Sequence, residues 1–80
     1  MEEKLTLKYD REGDILYINK LPPYKEQESE QIEDGVIARF NPVTNEIENL
    51  EVLFFSQRFQ ASNIFEIPIT VDLRLTARAS

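Results

Sequence analysis

The chain has eighty residues, no cysteine, no histidine and a net charge of −6. That length suits one small domain, which buries only about 60% of its unfolded surface; disulfides are impossible, and zinc held by carboxylates alone is unusual. Fifteen acidic residues against nine basic ones repel phosphate backbones, which argues against nucleic acid as a partner.

Leu5, Leu7 and Tyr9 alternate with Thr6 and Lys8, the pattern of a half-buried strand. Asp10-Arg11-Glu12-Gly13 reads as a turn. The Asp10 carboxylate is placed to accept turn amides, and Gly13 to take the left-handed conformation. Asp14 leads into a second strand, Ile15–Asn19, apolar at four consecutive positions. An antiparallel strand with one wet face should alternate, so this one is expected to be central and covered on both faces. Tyr9 and Tyr17 are expected as cross-strand neighbours.

Leu21-Pro22-Pro23-Tyr24 ends the hairpin, since proline donates nothing to a ladder. Lys25 to Asp34 carries five acidic residues, with Glu26, Glu28 and Glu30 on one strand face. It reads as an extended edge segment whose charges discourage pairing with other sheets. After Asp34-Gly35 comes a third strand, Val36–Phe40, then a turn over Asn41–Asn45 in which Asn45 tolerates positive φ. The fourth strand runs from Glu46 to Phe54. Ile47 is out of parity with Leu50, Val52 and Phe54, which predicts a bulge near Glu48 or Asn49.

Ser56 to Asn63 loses the two-residue period and is expected to be irregular or to form one or two helical turns with Ser56 as N-cap. Ile67, Ile69, Val71, Leu73 and Leu75 alternate with Pro68, Thr70, Asp72, Arg74 and Thr76, which predicts a C-terminal strand starting near Pro68. Thr76–Ser80 is expected to fray. The fold class that follows is mainly β: a small antiparallel sheet of about five strands, built from two hairpins plus a C-terminal strand, with at most one short helical segment, in a single domain over residues 1–80.

These elements resemble the domain-of-unknown-function 2283 family. The resemblance rests on Tyr9-Asp10, Asp14 and Leu16-Tyr17-Ile18, then on Gly35-Val36-Ile37, the Asn41–Asn45 turn, Ile47 and Leu50-Glu51-Val52-Leu53, with Ser56 and Arg58 after them. It spans about residues 5–58. The family tends to carry glycine where this chain has Asn45 and Asn49. The resemblance implies a small antiparallel β protein of prokaryotic origin and no established activity. Small members beside toxin-like genes lend it a protein-binding flavour.

Candidate chemistry is sparse. Asp10, Glu12 and Asp14 cluster as hard-cation ligands do, but residue 21, where a calcium loop of the helix–loop–helix type closes with glutamate, is Leu21. Turn formation accounts for them, and no metal or other cofactor is expected. Cys–His and Ser–His nucleophilic pairs are excluded by composition. Ser56 and Arg58 are the best-placed pair for an anion, with Tyr17 beside them in a cleft between hairpins; a helix cap and a surface ion pair are the competing structural roles.

The sequence therefore favours a non-enzymatic interaction or binding module, expected to be a homodimer because double-faced apolar strands need cover. An unidentified protein partner is compatible with it. The alternative is an anion or small-metabolite binder, or an enzyme, using Tyr17, Ser56 and Arg58. With no apolar run near the roughly 20 residues that span a bilayer and no apolar signal core after Met1-Glu2-Glu3-Lys4, no membrane association is expected and a cytoplasmic location is.

Overall fold

The computed structural model describes residues 4–75. Five strands pair into one open antiparallel sheet: β1 (Thr6–Asp10), β2 (Ile15–Asn19), β3 (Glu28–Glu33), β4 (Val36–Phe40) and β5 (Ile47–Leu53). Their spatial order is β1-β2-β5-β4-β3, so β5 lies at the centre and β2 is interior, as its apolar run requires. The acidic segment supplies the edge strand β3. A single 3-10 turn, Ser56–Phe59, follows β5.

The first hairpin differs from expectation by one residue. β2 runs over Ile15–Asn19 as expected, but Asp10 pairs with Ile15, so the loop is Arg11–Asp14 and takes in Asp14 as well. The Asp10 carboxylate accepts the amides of Glu12 at 3.1 Å and Gly13 at 3.3 Å, as its position implied. The left-handed residue, however, is Asp14 at φ 56°, not Gly13. A one-residue change of register moves a side chain to the opposite face. Tyr9 therefore pairs with Leu16 and Lys8 with Tyr17, and the two tyrosines lie on opposite faces instead of side by side.

The second turn matches its sequence. Asn41 Oδ1 accepts the amides of Val43 and Thr44, and Asn45 sits at φ 63°. The bulge is also present. Arg39 pairs with Asn49 and Phe40 with Ile47, leaving Glu48 as the extra residue. A second irregularity inserts Ile32 between Gln31 and Glu33.

Register sorts the side chains. Leu16, Ile18, Leu50, Val52, Val36 and Ala38 share the apolar face. Val36, Ala38, Leu50 and Val52 are its buried residues. Ile15, Tyr17, Asn19, Asn49, Glu51 and Arg39 lie on the other face. All five residues of β2 are only half-buried, so its two faces are partly rather than fully covered.

The expected C-terminal strand does not form: residues 67–75 join no ladder, and the fifth strand is β3 instead. Pro68 lacks an amide hydrogen, and around it the Ile69 amide donates to the Ile67 carbonyl at 2.8 Å, a tight turn incompatible with a strand. The alternation still has a physical meaning. Phe65, Ile67 and Ile69 turn inward onto Val36, Ala38 and Leu50, so the segment lies across the sheet's apolar face as a partial second layer. Thr76–Ser80 lies outside the described residues. Ile67→Ala should cost about 1–2 kcal/mol, reduced from a full core truncation because Ile67 is half-buried. Urea unfolding checks this, and an unchanged midpoint would mean that the segment is not seated on the sheet.

Candidate functional site

The polar residues of interest gather at the two ends of the sheet. At the end where β2 begins and β5 finishes, they form a corner around Asp14. Its Oδ1 accepts the Tyr9 hydroxyl at 2.6 Å and the Ser56 amide at 3.0 Å, and its Oδ2 accepts the Ser56 hydroxyl at 2.9 Å. Its backbone carbonyl accepts the Phe55 amide at 2.9 Å. Asp14 thus joins the first hairpin to the segment leaving β5, and its positive φ aims the carboxylate there. These donors favour the charged form, chiefly the Tyr9 hydroxyl, and hold the carboxyl below its ordinary value of 3.8. Phe55 packs edge-on against Tyr9 and Phe59, closing the corner with aromatic area.

Arg58 stands in the same region. Its Nε donates to the Leu53 carbonyl and its Nη2 to the Asp34 carbonyl, each at 2.8 Å. The guanidinium lies 4.7 Å from the centre of the Phe65 ring, a cation–π contact. Gly35, at φ 73°, lets this happen. A Cβ there would collide with the Arg58 guanidinium. Arg58 therefore ties the end of β5 to the β3–β4 turn and to the start of the segment that covers the apolar face.

The sequence-derived trio is not brought together. Ser56 does not cap the 3-10 turn: Phe55 occupies the cap position, with no side-chain cap bond, and the Ser56 hydroxyl goes to Asp14. Tyr17 lies in mid-strand on the polar face, where it lines a groove of roughly 210 Å3 with Asn19, Pro23, Arg39, Asn49 and Glu51. Ser56 and Arg58 do not border that groove. Within it Arg39 Nε donates to the Glu51 carboxylate, which satisfies both charges.

At the opposite end of the sheet, the connection from β2 to β3 must cross β5 and β4. The bulge anchors it. Glu48 Oε1 accepts the Tyr24 hydroxyl at 2.7 Å and Gln27 Nε2 at 3.0 Å, and Oε2 accepts Asn41 Nδ2 at 3.4 Å. Asn49, 2% exposed, accepts Gln27 Nε2 at 2.7 Å and donates to Asn19 Oδ1 and the Leu21 carbonyl at 2.8 and 2.7 Å. Among the described residues no buried side-chain nitrogen or oxygen is left unbonded. The Tyr24 bond lowers the Glu48 carboxyl below its ordinary 4.5 and pushes the Tyr24 phenol up to about 12. Sequence reading missed this network. Its signal was weak: Asn49 where the family tends to carry glycine, and Tyr24 directly after two prolines.

Among the described residues no three acidic side chains converge as a cation site, and no helix is long and apolar enough to cross a membrane. Fold and site together define a small, single-sheet antiparallel β protein whose polar clusters brace its two ends. The chain belongs to the family described as "Protein of unknown function (DUF2283)", whose profile matches residues 6–56. No curated protein and no solved structure matches it.

The pH dependence of stability follows from these bonds. Asp14 and Glu48 have lowered folded values, so their contribution is complete above their unfolded values near 3.8 and 4.5 and disappears as pH falls through the folded ones. Tyr24 has the opposite sign. Its contribution is complete below pH 10.0 and fades as pH rises toward about 12. Asp14→Asn should flatten the acid limb of the unfolding midpoint, and Tyr24→Phe the alkaline limb. Limbs identical to wild type would contradict these assignments.

Proposed function

We propose that this protein is a non-enzymatic protein-interaction module, and that its first partner is a second copy of itself. The observation that carries this reading is the half of the apolar face that the described residues leave bare. Leu5 and Leu7 are 53% and 61% exposed beside the outer edge of β1. The partner of Leu7 across the ladder, Ile18, is only half-buried. Phe65, Ile67 and Ile69 cover the other half, over β4 and β5. The two sheet edges also differ in character. β3 carries Glu28, Glu30 and Glu33, which repel an added strand, whereas β1 presents Thr6, Leu7 and Lys8. A small chain without disulfides gains most by burying such a margin against another surface.

The anion or metabolite reading has less support. The donors of Ser56 and Arg58 described above are directed at Asp14, two backbone carbonyls and an aromatic ring. The groove beside Tyr17 is smaller than the roughly 300 Å3 at which small-molecule pockets begin.

Light scattering at micromolar concentration tests the proposal. Wild type should show more than one chain mass, and Leu7→Lys, at an exposed position, should return it to one chain while keeping its circular dichroism. A wild-type mass of one chain across that range would refute self-association through this margin.

A further inference from the structure

We infer that residues 70–75 of one copy add as a sixth strand, antiparallel, to the outer edge of β1 in a second copy, and that the exchange is reciprocal. This rests on the self-association proposed above and names its contact. The apolar stripe that begins at Phe65 continues in the same parity through Val71, Leu73 and Leu75. The first half is seated on the sheet, but Val71, Leu73 and Leu75 are 58%, 80% and 82% exposed. β1 offers a stripe of the same length and period, Leu5, Leu7 and Tyr9, also exposed, beside an edge that pairs with no strand among the described residues. Both stripes are exposed, so each is available to another copy.

Charge selects the register. Placing Leu73 opposite Leu7 puts Leu75 opposite Leu5 and Val71 opposite Tyr9, and it sets Asp72 against Lys8 on the polar side. A slip of two residues toward Leu7–Leu75 sets Arg74 against Lys8 and Asp72 against Asp10, two like-charge pairs, which destabilise when directly opposite. A slip the other way sets Arg74 against Lys4 and leaves Leu75 without a partner stripe. Among the described residues Asp72 is bonded only to Arg74, at 2.9 Å, and both side chains are more than two-thirds exposed, so that pair is readily exchanged for Lys8. Main-chain bonds along the edge supply affinity and the alternate side chains supply specificity, as in other strand additions. Reciprocal exchange closes the assembly at two chains, whereas one-way addition would leave a free edge and a free segment at each end.

The chain has no cysteine, so paired thiols report this contact cleanly. Opposed residues in an antiparallel ladder lie about 4.5–5.5 Å apart at Cα, within disulfide range. Leu7→Cys and Leu73→Cys proteins, mixed and oxidised, should give a mixed disulfide dimer in preference to either homodimer. Lys8→Asp should raise the dimer dissociation constant about tenfold, and Lys8→Asp with Asp72→Lys should restore it. A dimer by mass that forms no preferential Leu7–Leu73 disulfide and ignores the charge reversal would overturn the strand exchange while leaving self-association standing. A Leu7→Cys, Leu73→Cys double variant that closes within one chain at dilute concentration would overturn it too, by placing the segment on its own β1. A wild-type chain that stays single would remove both.

Discussion

The structure depends most on the bulge in β5. A five-stranded sheet with its last strand in the middle needs a connection that crosses the end of the sheet, and such a connection has no ladder of its own to hold it. Glu48, the inserted residue, and Asn49 after it supply the anchor. Both are buried, and both reach Tyr24 or Gln27 on the crossing segment. Buried carboxylate and amide groups are costly without partners and rigidifying with a full set. Here the set is complete, so the order β1-β2-β5-β4-β3 is held by polar bonds as well as by the apolar face.

The second constraint lies at the other end. Asp14 and Ser56 lie within the family match over residues 6–56 and Arg58 two residues beyond it, and their geometry gives each a structural task. Asp14 binds the hairpin to the residues after β5, and Arg58 binds the end of β5 to the β3–β4 turn and to Phe65. Gly35 belongs with them, because the guanidinium occupies the space a side chain would need. These polar residues and Gly35 together close the sheet's corner. With that corner and the crossover both internally satisfied, the apolar margin along β1 is among the exposed apolar surfaces of the described residues.

Much of the sheet was legible in the residues. The apolar run Ile15–Ile18 marked an interior strand, the parity break at Ile47 marked the bulge, and Asn45 marked a left-handed turn position. Each is a local signal with a local cause. What escaped was set by contacts distant in sequence. The turn was legible as Asp10–Gly13, but nothing nearby shows that Ser56, 42 residues on, holds Asp14 in the loop as well. With Asp14 in the loop, Tyr17 lies on the opposite face from Tyr9, and the trio fails separately, because Ser56 turns to Asp14 and Arg58 to the Leu53 and Asp34 carbonyls. The segment after Pro68 shows another limit. Alternation reports an extended, half-buried segment, and it cannot distinguish one lying beside a sheet from one lying across it. Gln27 and Tyr24 carried no periodic signal, since their role is set by a crossing that only topology creates.

Both polar ends are internal braces, and the β1 margin is the proposed binding surface. Amide hydrogen exchange on the unmodified protein, measured in dilute and concentrated samples, tests it most directly. The expected result is concentration-dependent slowing over Thr6–Asp10 and residues 70–75, with β3 and the Asp14 corner unchanged. Slowing confined to Glu28–Glu33, or centred on Ser56–Phe59, would contradict it by placing the binding surface on the acidic edge or the braced corner.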